Sequence, residues 1–169
     1  NAFSCIMSKT PIDYNYIRKE GQAGRIGARL LAVVVEGKRE RIYLSPMKGM
    51  EDIAFSAKPN WKSDLKLPEN TRDFKTPNYG MDSYGDLFTS RQLVALNTFA
   101  GLISVVREKV YLDSINAGMS NNGLGLDSGG IGAKAYSEAV CVYLSIAVSR
   151  ISSYWSSIDR KSTRLNSSH

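Results

Sequence analysis

The chain has 169 residues, 43% of them hydrophobic, which suits one globular domain with a core of its own. Its two cysteines, Cys5 and Cys141, form no Cys-x-x-Cys pair, and its single histidine is the last residue, so composition argues against a metal cluster and against histidine-based catalysis. The chain shows no apolar run near bilayer length and no signal segment, so we expect a cytoplasmic protein without membrane association.

Residues 1–45 predict a small β-hairpin unit with a basic, glycine-rich approach. Residues 21–29 interleave glycines with arginines and lead into the short, β-branched run 30–35, which predicts a strand. Residues 36–38 suit a turn. Beyond it Arg39, Arg41 and Tyr43 alternate with Ile42 and Leu44, which indicates a second strand with one face in water.

Residues 46–78 predict an extended, proline-rich linker. Prolines at positions 46, 59, 68 and 77 interrupt any periodic signal, apart from a short helical candidate near residues 50–57. We expect Trp61, Leu65 and Leu67 to anchor this stretch.

Residues 79–158 predict a helical pair. Thr89 and Gln92 have the spacing of a capping box, and Phe88 and Leu93 that of a hydrophobic staple, so a helix is expected to begin at Ser90 and to run to about residue 117. Its apolar stripe is Leu93, Leu96, Phe99, Ala100, Ile103, Val106 and Val110.

A second helix over residues 133–158 supplies the facing stripe, and we expect the two helices to pack as a hairpin. That stripe is Tyr136, Ala139, Val140, Tyr143, Leu144, Ala147, Ile151, Tyr154 and Ile158. The small residues Cys141, Ser145, Ser149 and Ser152 are interpreted as spacers on a half-exposed face, the alternative being a close approach of the helices.

Two further segments complete the predicted organisation. Residues 118–132 contain six glycines and predict a mobile loop between the helices. Residues 159–169 are interpreted as a non-native tail, because the all-polar run from Arg160 to His169 looks like a translated sequencing adaptor. Without Arg160, Lys161 and Arg164, the 22 basic residues fall to 19 against 16 acidic ones, so the net charge of +6 falls to +3.

Three stretches imitate catalytic motifs, and each lacks the context that the motif requires. Residues 21–27 read GxxGxxG, but they precede a strand instead of following one. Residues 127–132 resemble an S-adenosylmethionine loop without the buried strand upstream. Residues 76–79, Thr-Pro-Asn-Tyr, resemble the Asp-Pro-Pro-Tyr motif without its strand, its first acid or its second proline.

No pair of acidic residues is placed for general acid and base catalysis. Asp82 and Asp86 are interpreted as favourable charges near the positive end of the first long helix. Basic residues are instead the candidates for binding, since flexible backbone around them suits contact with nucleic-acid phosphates. The alternative for these residues is a solvated basic face beside a tight turn.

Short groups of residues along the chain occur in an order typical of one family. They are Tyr16-Ile17-Arg18, Glu20-Gly21, Ala23-Gly24-Arg25 with Gly27, Arg29-Leu30, Ala32-Val33-Val34, Tyr79-Gly80-Met81, Gly85-Asp86-Leu87-Phe88-Thr89, Arg91-Gln92-Leu93, Ala135-Tyr136, Glu138-Ala139-Val140 and Tyr143-Leu144. Through them the chain resembles the adenine-specific DNA methylases of the DUF1156 type over roughly residues 3–158.

The resemblance implies an internal segment of a larger α/β methyltransferase that uses S-adenosylmethionine. In that family the cofactor loop lies upstream of the matching region and the Asp-Pro-Pro-Tyr motif downstream, so this segment would hold neither catalytic residues nor cofactor. Some family members carry a zinc ribbon near the start of this region. Here Ser8 stands where the second cysteine of a Cys-x-x-Cys pair with Cys5 would lie. One thiol cannot hold a structural zinc ion, so we expect no bound zinc.

The sequence therefore predicts an α+β fold, a small antiparallel β-hairpin unit followed by a long two-helix hairpin. Its expected role is to position DNA or to brace the catalytic core of the parent enzyme. The alternative is a structural module that docks a partner protein of a phage-defence complex, and a stand-alone methylase ranks third. The residues expected to contact DNA phosphates are Arg18, Lys19, Arg25, Arg29, Lys38, Arg39 and Arg41.

Overall fold

The computed structural model describes residues 3–69, 72 and 74–158. Within them the chain is a small α+β protein with two short antiparallel β-hairpins and four α-helices, which confirms the predicted class. The interpretation of residues 159–169 as a tail lies outside the described residues. Contacts divide the described part into two compact units, residues 3–57 with 62–87, and residues 58–61 with 88–158.

The first unit opens with a hairpin and a helix. Strand β1, Phe3–Ser4, pairs antiparallel with β2, Pro11–Ile12. Helix α1, Tyr14–Gln22, begins there because Asp13 is its N-cap: the Asp13 carboxylate accepts a hydrogen bond from the Tyr16 amide at 2.6 Å.

The one hairpin that the sequence predicts is the second along the chain, and it is confirmed. Strand β3, Val33–Glu36, pairs antiparallel with β4, Arg41–Leu44, and the Gly37 amide donates to the Glu40 carbonyl at 2.8 Å across the connecting turn. Two details of the prediction are wrong. Residues 30–32 precede the strand, and all four residues of β4 are exposed, so neither of its faces is covered by the described residues.

The stretch predicted as a linker includes helix α2, Lys48–Ser56, and then an extended segment. Residues 62–69 belong to the first unit: the Leu67 amide donates to the Asp82 carbonyl and the Tyr84 amide to the Leu65 carbonyl, each at 2.9 Å. Of the three predicted anchors, Leu67 is buried, whereas Trp61 and Leu65 are exposed. Thr76–Tyr79 and Tyr84–Leu87 form 3-10 turns.

Helix α3, Ser90–Asn116, begins and ends where the sequence predicts. The Thr89 hydroxyl accepts from the Gln92 amide and the Gln92 side chain accepts from the Thr89 amide, which is the predicted capping box. At the other end Gly118 has φ 84°, and the Met119 amide donates to the Ser114 carbonyl at 3.0 Å, as in a Schellman motif.

Helix α4, Ala133–Trp155, packs against α3 as a hairpin, as predicted. The Phe99 and Trp155 rings lie 5.7 Å apart, so the start of α3 meets the end of α4. The Cys141 thiol donates to the Ile103 carbonyl, with 3.5 Å between sulfur and oxygen. Neither this helix nor any other in the described residues combines the length and apolarity needed to cross a membrane.

The predicted stripe of α4 is wrong at its tyrosines. Tyr136, Tyr143 and Tyr154 are exposed, while Ser137 and Cys141 are buried. Small side chains at a four-residue interval therefore face α3, and the interpretation of Cys141 as a spacer is wrong. Close packing explains this register, since a helix crosses its neighbour most closely where the facing side chains are small.

The glycine-rich loop, residues 118–132, has a defined set of internal contacts. A Cβ on Gly130 would lie 2.3 Å from the Leu124 carbonyl oxygen, and one on Gly132 would lie 2.4 Å from that of Ser120. These glycines therefore allow two backbone segments of the loop to lie close together. The sequence had indicated only that they increase the conformational freedom of the loop. Its mobility stays a prediction.

Candidate nucleic-acid interface

The seven basic residues predicted to contact DNA all lie in the first unit, and their surroundings divide them into three groups. Arg18, on α1, is half-buried, and its guanidinium carbon lies 5.9 Å from the centre of the Tyr79 ring. Its Nε atom is buried without a hydrogen-bond partner among the described residues. Arg18 is thus held inside the first unit by a cation–π contact.

Arg25 and Arg29 form the second group, in which each cation already has a carboxylate partner. Arg25 makes two hydrogen bonds of 2.7 Å to Glu20, which lower the pKa of the Glu20 carboxyl and raise the pKa of Arg25. Arg29 Nε lies 2.8 Å from Glu51 Oε1, an oxygen that also accepts from the Leu30 amide. Both arginines stay largely exposed to solvent, but their charges are locally balanced.

Lys19, Lys38, Arg39 and Arg41 form the third group, which is exposed and forms no ion pair among the described residues. Three of them lie together on the β3–β4 hairpin, where residues 34–41 line a depression in the surface. We call Lys38, Arg39 and Arg41 the hairpin cations. Their charge is available to an anionic partner.

The partners of the first two groups were missed by the sequence reasoning. Glu20 lies five residues before Arg25, so a local search for opposite charges finds it. Glu51 and Tyr79 are distant in sequence from Arg29 and Arg18, and no signal in the sequence connects them. The chain has to fold before these basic residues can be told apart from the hairpin cations.

Asp86 is also better explained by the structure than by its predicted interaction with the α3 dipole. Its carboxylate pairs with Lys62 and accepts hydrogen bonds from the Asp82 and Ser83 amides and from the Ser83 hydroxyl. Burial opposes ionisation, but the hydrogen bonds from Lys62 and Ser83 outweigh it and hold the pKa of Asp86 well below its usual range. Asp86 joins the extended segment after α2 to the 3-10 turn before α3.

The glycine-rich loop does not fit S-adenosylmethionine. Backbone atoms of residues 120, 124 and 125 fill the space beside Gly130 and Gly132, and the Glu138 carboxylate is occupied by the Leu126 amide at 2.7 Å. A 3-10 turn at Leu126–Ser128 stands where a strand would have to aim the loop at the cofactor. The loop therefore lacks the open backbone and the upstream strand that the cofactor motif requires.

The other two imitations have structural roles. The GxxGxxG stretch is not a phosphate loop. Its first glycine, Gly21, lies in the last turn of α1, against the backbone of Tyr79. The Thr-Pro-Asn-Tyr stretch is a 3-10 turn capped by Gly80, and Arg18 lies over its tyrosine. The two motifs therefore pack on each other within the first unit.

Cys5 lies in the turn of the β1–β2 hairpin. The Ser8 amide lies 3.4 Å from its sulfur, and hydrogen bonding to Ser8 lowers the pKa of the Cys5 thiol. Among the described residues, no group of three histidine, cysteine or acidic side chains is placed to hold a metal ion. The absence of zinc stays a prediction.

No protein-family model, curated protein or solved structure matches this chain.

Proposed function

We propose that this chain is a non-catalytic segment of an adenine-specific DNA methyltransferase of the DUF1156 type. In this proposal the parent enzyme transfers a methyl group from S-adenosylmethionine to the exocyclic amine of adenine, and this segment positions the DNA. The observation that supports the DNA contact is the set of hairpin cations, which are exposed and free of ion pairs within the described residues.

Phosphate contacts require cations that lose little by leaving their present partners. Binding of DNA by Arg25 or Arg29 would compete with Glu20 or Glu51, and binding by Arg18 would remove it from Tyr79. The hairpin cations lose only hydration, and their binding is favoured by the counterions that DNA releases to the solvent. They are consequently the first residues to test.

A salt titration of fluorescent duplex DNA binding to the full chain tests the proposal. We expect binding that weakens steeply with salt, and we expect the variant Lys38→Gln/Arg39→Gln/Arg41→Gln to lower the slope of log K against log salt by about 0.9 for each phosphate that the variant no longer neutralises. Arg107→Gln/Lys109→Gln/Arg150→Gln is the matched control, because it removes the same charge from exposed positions of the second unit.

Two results would contradict parts of this proposal, and a third would narrow the interface. Absence of binding at low salt by a folded chain rules out the DNA contact. Equal slopes for the two triple variants would mean that only net charge matters. Charge reversal at Arg25 and Arg29 that leaves affinity and slope unchanged removes those two residues from the interface. A chain truncated after Ile158 controls for the basic residues at positions 160, 161 and 164.

A second candidate function, docking against a partner protein or against the parent's catalytic core, is favoured by the exposed side of α4. Val142, Tyr143 and Ile146 are 50%, 76% and 59% exposed, and Arg150 is the one charged residue between positions 139 and 155. Aromatic residues and arginine are the types enriched where proteins bind one another.

Dye binding and oligomeric state test this candidate. We expect an apolar fluorescent dye to bind the full chain, and Tyr143→Glu/Ile146→Glu to reduce that binding without loss of helical circular dichroism. A monomeric chain that binds no dye would contradict the docking role. The partner, as the sequence resemblance implies, belongs to a phage-defence complex.

A further inference from the structure

We propose that the β3–β4 hairpin enters the major groove of duplex DNA as a two-stranded ribbon, and that Arg41 contacts a guanine there. This inference rests on the proposed DNA contact and adds base recognition to it. It makes the hairpin a specificity element, whereas phosphate contacts alone carry no sequence information.

The hairpin has two chemically different faces. Side chains alternate along each strand, so the opposed pairs Val33 with Leu44 and Val35 with Ile42 share one face, which is wholly apolar. The other face carries Val34 opposite Tyr43 and Glu36 opposite Arg41. We call these four residues the reading face.

The reading face is the more exposed of the two. On the apolar face Val33 and Val35 are half-buried and Ile42 and Leu44 are 41% and 47% exposed, whereas all four residues of the reading face are exposed, with Tyr43 at 67%. The apolar face is thus partly covered on β3 only, and the polar, aromatic face lies in solvent along both strands. The reading face is thus free to meet a ligand.

The dimensions of the ribbon match the groove. The major groove of B-form DNA is about 12 Å wide and admits a two-stranded ribbon, whose strands lie about 4.8 Å apart. Arg41 and Tyr43 are two residues apart on one strand, which corresponds to about 6.8 Å, and two base-pair steps span the same distance at about 3.4 Å each. The two side chains can therefore address base pairs two steps apart.

The chemistry of the face favours DNA over a protein strand. The Arg41 guanidinium can donate two hydrogen bonds to O6 and N7 of one guanine, and Glu36 can accept from the amine of a cytosine. Neither residue forms an ion pair among the described residues, so both are available. Lys38 and Arg39, at the end of the ribbon, provide positive charge for the flanking phosphates.

Selection from a randomised duplex pool tests base recognition. The full chain is incubated at low salt with 20-bp duplexes of random sequence, and the bound duplexes are sequenced after several rounds. We expect enrichment at a few adjacent base pairs that include a guanine. Replacing that guanine by 7-deazaguanine removes the N7 acceptor but no phosphate, so we expect binding to weaken by about 5- to 150-fold with the salt slope unchanged.

Two charge-conserving variants separate base reading from phosphate binding. Arg41→Lys keeps the charge but loses the planar two-pronged donor, so we expect a smaller difference in affinity between the natural and the 7-deazaguanine duplex than the wild-type chain shows, with the salt slope of the wild-type chain. Arg39→Lys is the matched control at the tip, and we expect it to retain the discrimination.

The outcomes distinguish the inference from the proposed function. Salt-dependent binding without enrichment, or equal affinity of the wild-type chain for the two duplexes, overturns base reading and leaves the phosphate contact in place. Discrimination as large in Arg41→Lys as in the wild-type chain removes Arg41 from the role. No binding at low salt by a folded chain overturns both.

Discussion

At the scale of single residues, Gly21 and Gly80 hold α1 against the 3-10 turn that precedes residue 80. A Cβ on Gly80 would lie 2.3 Å from the Gly21 carbonyl oxygen, and Gly80 also has φ +83°. Substitution there combines a backbone clash with strain in the left-handed region. The contact between α1 and the turn consequently depends on two glycines.

Gly80→Ala is expected to reduce the protection of α1 amides against hydrogen exchange. Gly24 is the matched control, because it has φ +66° with no atom near its Cβ position. Gly24→Ala should cost only the left-handed strain, about 1–2 kcal/mol. Equal losses for the two variants would mean that the close approach to Gly21 contributes nothing.

Asp86 is expected to make the first unit sensitive to acid. Its pKa is lowered in the folded chain, so its stabilising contribution is complete above the ordinary value near 3.8 and is lost as the pH falls below it. Asp86→Asn should lower stability at neutral pH and flatten the pH dependence of the free energy of unfolding between about pH 5 and 2.

Asp52→Asn is the control for this prediction, since it removes one carboxylate from an exposed position on α2. Urea unfolding followed by circular dichroism at each pH measures both variants. An Asp86→Asn chain with the acid sensitivity of the wild-type chain would contradict the role of the Lys62 and Ser83 contacts.

At the scale of elements, the α3–α4 contact depends on small side chains. Cys141 and Ser137 are buried, and the Cys141 sulfur reaches the Ile103 carbonyl of α3. Cys141→Leu should destabilise the second unit by about 1–3 kcal/mol through overpacking. Val142→Leu, on the exposed side of the same helix, should change stability by less than about 0.5 kcal/mol.

Thermal unfolding followed by helical circular dichroism checks the Cys141 prediction. Cys141→Ala supplies a second comparison, since it shortens the side chain and keeps the helices free to approach. If Cys141→Leu melts at the wild-type temperature, the helices do not cross where this residue lies.

At the scale of the whole molecule, the two units differ in how much apolar surface they bury. Among the described residues, the buried hydrophobic side chains are Leu67 in the first unit and Leu93, Ala133, Ala135 and Cys141 in the second. Burial of apolar surface is the main favourable term in folding, and an isolated two-stranded hairpin is only marginally stable in water. We therefore expect the first unit, with its hairpin, to be the less stable one.

Native-state hydrogen exchange of the full chain should reveal this difference. We expect amides of β3 and β4 to exchange through low-energy local opening, and amides in the centres of α3 and α4 to show the highest protection. Bound duplex DNA should increase protection in the hairpin alone. Equal protection of the hairpin and the helices in the free chain would contradict the difference in stability.

The sequence by itself determined the elements whose signals are local. Thr89 and Gln92 lie three residues apart, so their capping box could be identified without the fold, and Gly118 marked the end of the same helix. The β3–β4 hairpin was equally evident, because two short strands flank one turn. Each of these features depends on interactions among residues a few positions apart.

Only the tertiary structure decided which helix face is buried and which basic residues are paired. The inward face of α4 is set by how closely α3 can approach, and that constraint selected Ser137 and Cys141 over the tyrosines. The tertiary structure also decides which basic residues have partners. Glu51, distant in sequence, forms an ion pair with Arg29, and Tyr79, equally distant, contacts Arg18. The hairpin cations form no ion pair among the described residues. A sequence pattern gives the spacing of residues along the chain. Long-range packing and charge pairing depend instead on distances in space, which that spacing does not determine.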